Sequence, residues 1–183
     1  MEDPDIARLL GFWFDELEDQ DYWRRNDELD ARIRRDFGEL HERAARGELD
    51  HWQESPEGAL ALVIALDQFP RNMFRDDPRA YATDAKALAL AEAAIERGFD
   101  RQLPNERCRF LYMPFEHSED LAVQERSLEL FKRLGMADET YVYVVRHHEI
   151  VARFGRFPHR NRVLGRETTA AEAEFLMEPN SSF

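Results

Sequence analysis

The sequence contains only one cysteine, Cys108, so the chain cannot form an intramolecular disulfide. The residues around Cys108 include no second thiol at a spacing typical of metal ligands, and we expect a buried structural thiol in a reducing compartment. The N-terminus is acidic and lacks the basic and apolar segments of a signal peptide. These features predict a cytoplasmic protein.

Long hydrophobic segments are also missing. The longest uninterrupted apolar run extends from Ala59 to Leu66, whereas about 20 apolar residues are needed to cross a bilayer. β-Branched residues are sparse and no alternating pattern of useful length occurs, which argues against a sheet. We therefore expect a soluble, all-α protein without a membrane partner.

Basic residues are fewer than acidic ones, with 25 lysines and arginines against 38 aspartates and glutamates, for a net charge of -13. This charge repels polyanions and argues against nucleic acid as a partner. The charge is uneven, because residues 140–166 contain six arginines and one acidic residue, Glu149. Such a basic segment either pairs with the protein's own carboxylates or binds an anion, and both alternatives remain open.

Helical periodicity predicts about seven main helices, arranged in one domain over residues 1–183. The clearest runs from about Asp27 to Arg46, with apolar residues every three or four positions. Another begins with Ser55 as its N-cap and Pro56 at its first position. Its body is apolar on every side, which predicts a central buried helix that Pro70 ends or kinks.

The other predicted helices are less sharply bounded, and several are delimited by proline or glycine. Short connections between the helices predict antiparallel neighbours in an array of helix pairs, similar to tetratricopeptide superhelices but without a clean repeat consensus. The approximate bounds are Asp5–Asp15, Pro78–Arg97, Asn105–Tyr112 broken by Pro114, Ser118–Gly135, Asp138–Phe154, and a short helix capped by Thr168 or Thr169 with Glu172 in a capping box.

Two segments place polar residues beside apolar ones, where a buried polar group needs a partner. In LDQFPRN, residues 66–72, Asp67 follows the most apolar helix, Arg71 is the nearest cation, and Asn72 is a candidate cap of the turn. In MPFEHSED, residues 113–120, the helix dipole explains the last two acids, but Glu116 and His117 precede the cap.

A third segment, residues 146–166, is the most unusual. His147 shares a helix face with Val144, Ile150, Val151 and Phe154, so it points toward the core, whereas His148 lies about 100° round the helix. A histidine on an apolar face is either a hydrogen-bonded core residue or a ligand-binding or basic group. FPHRN in this segment repeats the FPRN pattern of residues 69–72, and rigid loops with arginine are suited to gripping carboxylate or phosphate.

Several chemistries lack their sequence motifs. There is no GxGxxG, GxxxxGKS/T, GxSxG or HExxH motif, which argues against dinucleotide, P-loop, α/β-hydrolase and zinc-protease sites. Adjacent histidines on a helix point about 100° apart, so they do not form a metal-ligand pair. We predict neither a metal nor a cofactor.

Five strings occur in a fixed order between about Leu10 and Leu176: FWF, LDQFPRN, MPFEHSED, RFGRFPHRN and LGRETT. Together they resemble the bacterial family called domain of unknown function 924. The resemblance implies an all-α fold similar to tetratricopeptide-like superhelices and no established activity. Met113 stands where the family often has leucine, which should matter little for packing. The family's characteristic polar residues correspond here to Asp67, Gln68, Arg71, Asn72, Glu116, His117, Glu119, His147, Arg153, Arg156, His159, Arg160, Asn161 and Arg166.

Three functions remain open. The leading hypothesis is a helical binding or scaffold protein whose polar groove holds an anionic small molecule or an acidic peptide; this requires the arginines of both proline loops to meet the Glu116 and His147 neighbourhood. The rival is a small hydrolase-like enzyme with His147 or His159 as base, oriented by Glu116 or Glu119. The third is a purely structural network. The predicted groove comprises Asp67, Arg71, Asn72, Glu116, His117, Glu119, His147, Arg153, Arg156, His159, Arg160, Asn161 and Arg166.

The oligomeric state is either a monomer or a homodimer. Trp13, Phe14, Tyr22 and Trp23 are large aromatic residues near the N-terminus that belong either to the core or to a dimer surface. We favour the core.

Overall fold

The computed structural model describes residues 3–135 and 138–182, and within these ranges it contains helices and no strands. The chain is therefore all-α, as predicted. The α-helices are α1 Pro4–Gly11, α2 Asp19–Trp23, α3 Asp27–Ala45, α4 Pro56–Val63, α5 Phe69–Met73, α6 Asp84–Glu96, α7 Asn105–Glu116, α8 Leu121–Arg133, α9 Asp138–Phe154 and α10 Ala170–Phe175. Two π-helical turns, Phe12–Glu16 and Ile64–Gln68, and four 3₁₀ turns, Asp50–Glu54, Pro78–Ala80, Phe99–Arg101 and Pro158–Arg160, complete the order.

The chain separates into two compact units. The first comprises Met1–Arg75 and Arg79–Pro114, and the second comprises Asp76–Pro78 and Phe115–Phe183. The expectation of a single domain stays a prediction. No helix in the described part of the chain is both long and apolar enough to cross a membrane.

The core of the first unit forms around α4, which is buried along Gly58–Val63, as its apolar sequence predicts. Phe37 from α3 lies between two other rings, with centroids 4.9 Å from Phe12 and 5.0 Å from Phe69. Trp13 is buried as well, which confirms its assignment to the core, whereas Trp23 is 46% exposed. Aromatic side chains therefore pack the π-helical turn Phe12–Glu16, α3 and α5 against one another.

Pro70 does not end the helical segment that begins at Pro56, so of the two predicted effects, an end or a kink, the end is wrong. A π-helical turn, Ile64–Gln68, connects α4 to α5, and α5 continues through Pro70 to Met73. The π-helical turn compensates for the N–H that Pro70 lacks, because its extra residue shifts the main-chain hydrogen bonds just before the proline.

Pro114 lies inside α7, so the predicted break at this residue is wrong by a few residues. Helix α7 continues to Glu116, two residues beyond the proline. The predicted start of the next helix at Ser118 is also displaced, because Asp120 is the N-cap of α8 and accepts from the N–H groups of Ala122 and Val123. In both cases the residue that suggests a helix end, Pro114 or Ser118, lies within two residues of the observed terminus but not at it.

The second unit is organised by the packing of α8 against α9. Val144, His147, Ile150 and Val151 on α9 are buried, which confirms the predicted core face, and His148 is partly exposed. Helix α10 begins with Thr169 as N-cap, and Glu172 completes the predicted capping box.

Candidate functional site

The predicted site residues fall in both units. Asp67, Arg71 and Asn72 belong to the first unit, and the remaining ten belong to the second. Each group is described within its own unit, and the convergence of the two proline loops stays a prediction.

Arg71 pairs with two carboxylates in the first unit. Its guanidinium donates to both oxygens of Asp84, at 2.9 Å each, and lies 3.3 Å from Oδ1 of buried Asp67. The predicted Asp67–Arg71 pair is therefore confirmed. Asn72 donates to Asp30 at 2.8 Å, and Arg75 binds the same carboxylate; capping of the turn by Asn72 stays a prediction.

Three carbonyls of the π-helical turn each accept a hydrogen bond from a side chain. His41 Nδ1 lies 2.8 Å from the Ala65 oxygen, Thr83 donates to Leu66 at 2.5 Å, and Arg71 donates to Asp67 at 2.6 Å. A π turn followed by proline leaves carbonyls without main-chain donors, and buried carbonyls need a partner. The polar side chains of LDQFPRN are therefore hydrogen-bonded within this unit.

In the second unit, Arg166 holds the loop after α9. It binds Glu119 through two hydrogen bonds of 2.7 and 3.0 Å, and it also donates to the Phe157 carbonyl and to Asn161 Oδ1. The Phe157 N–H donates to the same Glu119 carboxylate at 2.8 Å. Burial raises the pKa of Glu119, but the hydrogen bonds from Arg166 and Phe157 outweigh it, and the pKa is lowered.

A second pair closes the loop onto α10. Arg156 donates two hydrogen bonds, of 2.7 and 2.9 Å, to the carboxylate of Glu172, and Asn161 donates to the same group at 3.3 Å. The hydrogen bonds from Arg156, followed by those from Thr169, outweigh the effect of burial and lower the pKa of Glu172 to about 2. Together with Arg166–Glu119, this pair forms what we call the arginine lock: Glu119, Arg156, Asn161, Arg166 and Glu172.

Five other predicted residues lie together and form what we call the histidine cluster: Glu116, His117, His147, His159 and Arg160. The ring of Phe157 lies at its centre, with centroids 5.5 Å from His147 and 5.7 Å from His159. The Arg160 guanidinium lies over the same ring at 4.4 Å. The His117 and His147 rings are 6.3 Å apart.

His147 is oriented by two acceptors on the same nitrogen. Its Nδ1 lies 2.8 Å from the Tyr143 carbonyl and 3.1 Å from Oε1 of Glu116. Since both neighbours accept hydrogen bonds, Nδ1 carries the proton and Nε2 is left as an acceptor. Both His147 and Glu116 are only 6% exposed, so this pair is a preorganised feature of the interior.

The charge state of His147 follows from its surroundings. Burial is the main cause that lowers its pKa, to about 3; the hydrogen bond to Tyr143 acts in the opposite direction, and positive charge at His117, Arg160 and His159 lowers it further. His147 is therefore neutral near pH 7.

The remaining predicted residue, Arg153, makes different contacts. It is exposed on α9, and its guanidinium lies 4.7 Å from the Phe154 ring and 5.7 Å from the Phe175 ring. Because its guanidinium contacts aromatic rings of α9 and α10, Arg153 is assigned neither to the arginine lock nor to the histidine cluster.

Several partners in these networks were not among the predicted site residues. Asp84, Asp30 and Thr83 carry no sequence signal for their roles, because each contacts residues far along the chain. Glu172 is predicted only as a capping residue, yet it also binds Arg156. Within the described ranges, no group of three or more histidines, cysteines or acidic residues is arranged to hold a metal ion.

Comparison with known proteins gives a family but no activity. A family model described as bacterial protein of unknown function, DUF924, matches residues 9–180. A solved structure of a protein of unknown function from Agrobacterium tumefaciens has 40% sequence identity and a TM-score of 0.90, covering 95% of this chain and 97% of that one. No protein with a curated description matches the chain. Because the family model spans nearly the whole sequence, the chain belongs to the bacterial family called domain of unknown function 924.

Proposed function

We propose that the chain is a helical binding or scaffold protein whose histidine cluster binds an anionic small molecule or the acidic end of a peptide. One observation carries this proposal: the Arg160 guanidinium, 6% exposed, lies over the Phe157 ring, which also contacts the imidazoles of His147 and His159. A cationic group in such a partly desolvated setting attracts an anion more strongly than one in open water. Arginine also suits carboxylate and phosphate, because its planar fork matches their oxygens.

Access to the cluster is provided by two of its histidines. His117 and His159 are partly exposed, whereas Glu116, His147 and Arg160 are buried. An anion that reached the two outer imidazoles would lie near the inner guanidinium. The proposal therefore assigns ligand contact to His117, His159 and Arg160, and an orienting role to the Glu116–His147 pair.

The arginine lock takes no part in this proposed contact. Arg156 and Arg166 each bind a carboxylate of the protein itself through two hydrogen bonds. Such bidentate pairs hold the loop that carries His159 and Arg160. In this proposal the basic segment of residues 140–166 has two roles: Arg156 and Arg166 pair with the protein's own carboxylates, and Arg160 binds an anion.

The Glu116–His147 pair supports a second candidate, a small hydrolase-like enzyme. A carboxylate that orients an imidazole through Nδ1 is the arrangement of a general base. However, a pKa of about 3 makes His147 a weak base at neutral pH, and we therefore favour binding over catalysis. Hydrolysis of a chromogenic ester that is lost in His147→Gln would reverse this preference.

The wider setting of the proposal follows from the sequence. We propose a cytoplasmic protein with a tetratricopeptide-like array of helix pairs, acting as a monomer or homodimer without nucleic-acid or membrane partners. The net charge of -13 supports the last point, because it repels polyanions at long range.

Isothermal titration calorimetry with inorganic phosphate, acetate and a tetraglutamate peptide tests the binding proposal. We expect saturable binding of at least one probe, weakened about tenfold or more in Arg160→Lys, because lysine lacks the planar fork. Arg162→Lys is the matched control, since Arg162 lies in the same loop, is exposed, and pairs with Asp76. Failure of all three probes to bind, or equal weakening in the control, would contradict the proposal.

A further inference from the structure

Two polar side chains inside the second unit lie outside both the arginine lock and the histidine cluster. Gln124 and Ser127 are 0% exposed and lie three residues apart on α8, beside the buried residues Leu130 and Phe131. Residues at this spacing occupy the same face of a helix. The buried face of α8 therefore carries a polar pair within an otherwise apolar stripe.

The amide of Gln124 has a defined orientation. Its Nε2 donates to the Glu116 carbonyl at 2.6 Å and to the Ser118 carbonyl at 2.7 Å. Both partners are acceptors, so the nitrogen is assigned to this side and Oε1 points away from it. Gln124 thereby clamps the turn between α7 and α8.

The oxygens of this pair lack partners within the described part of the protein. Neither Gln124 Oε1 nor Ser127 Oγ, both fully buried, has a hydrogen-bond partner there. Buried oxygens without a donor are unfavourable, and in folded proteins such groups are usually satisfied by ordered water.

We infer that Gln124 Oε1 and Ser127 Oγ bind one internal water molecule. The two side chains lie on the same face of α8, because residues three apart on a helix are neighbours, and one water with hydrogen bonds of about 2.8 Å can serve two oxygens on that face. The water donates to Gln124 Oε1 and either donates to or accepts from the Ser127 hydroxyl. Both oxygens are uncharged, so they offer nothing to offset the burial of a cation, and a neutral donor fits.

This water has a structural consequence for the turn between α7 and α8. It satisfies the oxygen of the same amide whose nitrogen holds the carbonyls of Glu116 and Ser118. The bound water thus supports the Gln124 clamp at the segment that carries Glu116, His117 and Glu119. The water follows from burial and hydrogen bonding alone, so its presence does not depend on the proposed ligand.

A high-resolution crystal structure of the full chain tests the inference directly. We expect electron density for one water within hydrogen-bond distance of both Gln124 Oε1 and Ser127 Oγ. A direct hydrogen bond from the Ser127 hydroxyl to Gln124 Oε1, with no water between them, would overturn it.

Water–amide NOE spectroscopy provides a second measurement in solution. Wild-type protein should show a long-lived water signal at amides of α8 near Ser127, and Ser127→Val should lose it, because the added methyl groups fill the space and remove the hydroxyl. The exposed residue variant Ser182→Ala is the control and should retain the signal. Persistence of the signal in Ser127→Val would contradict the inference; if that variant does not fold, the wild-type crystal structure decides.

Discussion

At the scale of single residues, charge pairing divides the arginines of residues 140–166 into two kinds. Arg166 is partly buried and binds Glu119 through two hydrogen bonds, with two further bonds to Phe157 and Asn161. Arg162 is exposed and pairs with the equally exposed Asp76. Identical side chains in one loop should therefore contribute very differently to stability.

We expect Arg166→Ala to lower the free energy of unfolding by about 2–4 kcal/mol, because it leaves a partly buried carboxylate and two other acceptors without their donor. Arg162→Ala should change it by less than about 0.5 kcal/mol, as exposed pairs contribute little. Urea unfolding of both variants measures the difference. Equal losses in the two variants would show that the arginine lock does not hold the loop.

A single carboxylate also predicts part of the pH dependence. The pKa of Glu172 is lowered from its ordinary 4.5 to about 2 by Arg156 and Thr169. A lowered pKa in the folded state stabilises the fold above pH 4.5, and this contribution is lost as the pH falls from about 4.5 to about 2. Glu172→Gln should therefore lose less stability than wild type over this range.

The measurement for Glu172 is the urea midpoint recorded as a function of pH. Glu174→Gln serves as the control, because Glu174 is exposed on the same helix. Its profile should follow the wild type. A Glu172→Gln profile as steep as that of the wild type would contradict the assigned role of the Arg156–Glu172 pair.

At the scale of elements, the π-helical turn Ile64–Gln68 allows a buried helical segment to continue through Pro70. Sequence patterns identify the apolar run and the proline, and they predict an end or a kink of the helix at Pro70. The structure continues the helix, because His41, Thr83 and Arg71 supply the donors that the main chain lacks at this point. Two of these donors come from elsewhere in the first unit, so the local sequence could not reveal them.

We expect Thr83→Val to lower the free energy of unfolding by about 1–3 kcal/mol, since it removes the donor to the buried Leu66 carbonyl without changing the shape of the side chain. Thr168→Val is the matched control, because Thr168 is exposed and its hydroxyl accepts only a 3.3 Å contact from Asn161. Chemical denaturation compares the two. A neutral Thr83→Val would show that the turn does not depend on this hydrogen bond.

At the scale of the whole molecule, the two compact units are interleaved along the chain. Residues 76–78 belong to the second unit, so the chain passes between the units three times, and α7 contributes residues to both. Units connected in this way have few opportunities to unfold separately. The sequence-based expectation of one domain therefore leads to a thermodynamic prediction.

Differential scanning calorimetry should give a single transition with a van't Hoff enthalpy about equal to the calorimetric one. The Arg166→Ala variant, which alters only the second unit, should shift this single peak rather than split it. Two separate transitions, or a new peak at lower temperature in the variant, would show that the units unfold independently.

The family and the all-α class could be predicted from the sequence, because the patterns that indicate them lie within short contiguous segments. Apolar spacing predicts α3 and α9 closely, and Thr169 and Glu172 form their capping box within four residues. The family strings lie between about Leu10 and Leu176, and the family model matches residues 9–180. The candidate site could be predicted from the sequence only in part. The burial of His147 follows from helical periodicity, but its contact with Glu116 joins residues 31 positions apart.

The sequence by itself determined where helices form, which faces are apolar, and which polar residues require a partner, because these depend on spacing within a few turns. The sequence predicted one ion pair, Asp67 with Arg71, and only the tertiary structure decided which distant carboxylates the arginines bind. It placed Arg156 on Glu172, Arg166 on Glu119 and Arg71 on Asp84. The physical reason is that ion pairs and buried hydrogen bonds select partners by distance in space, and the packing of helices distant in sequence sets those distances.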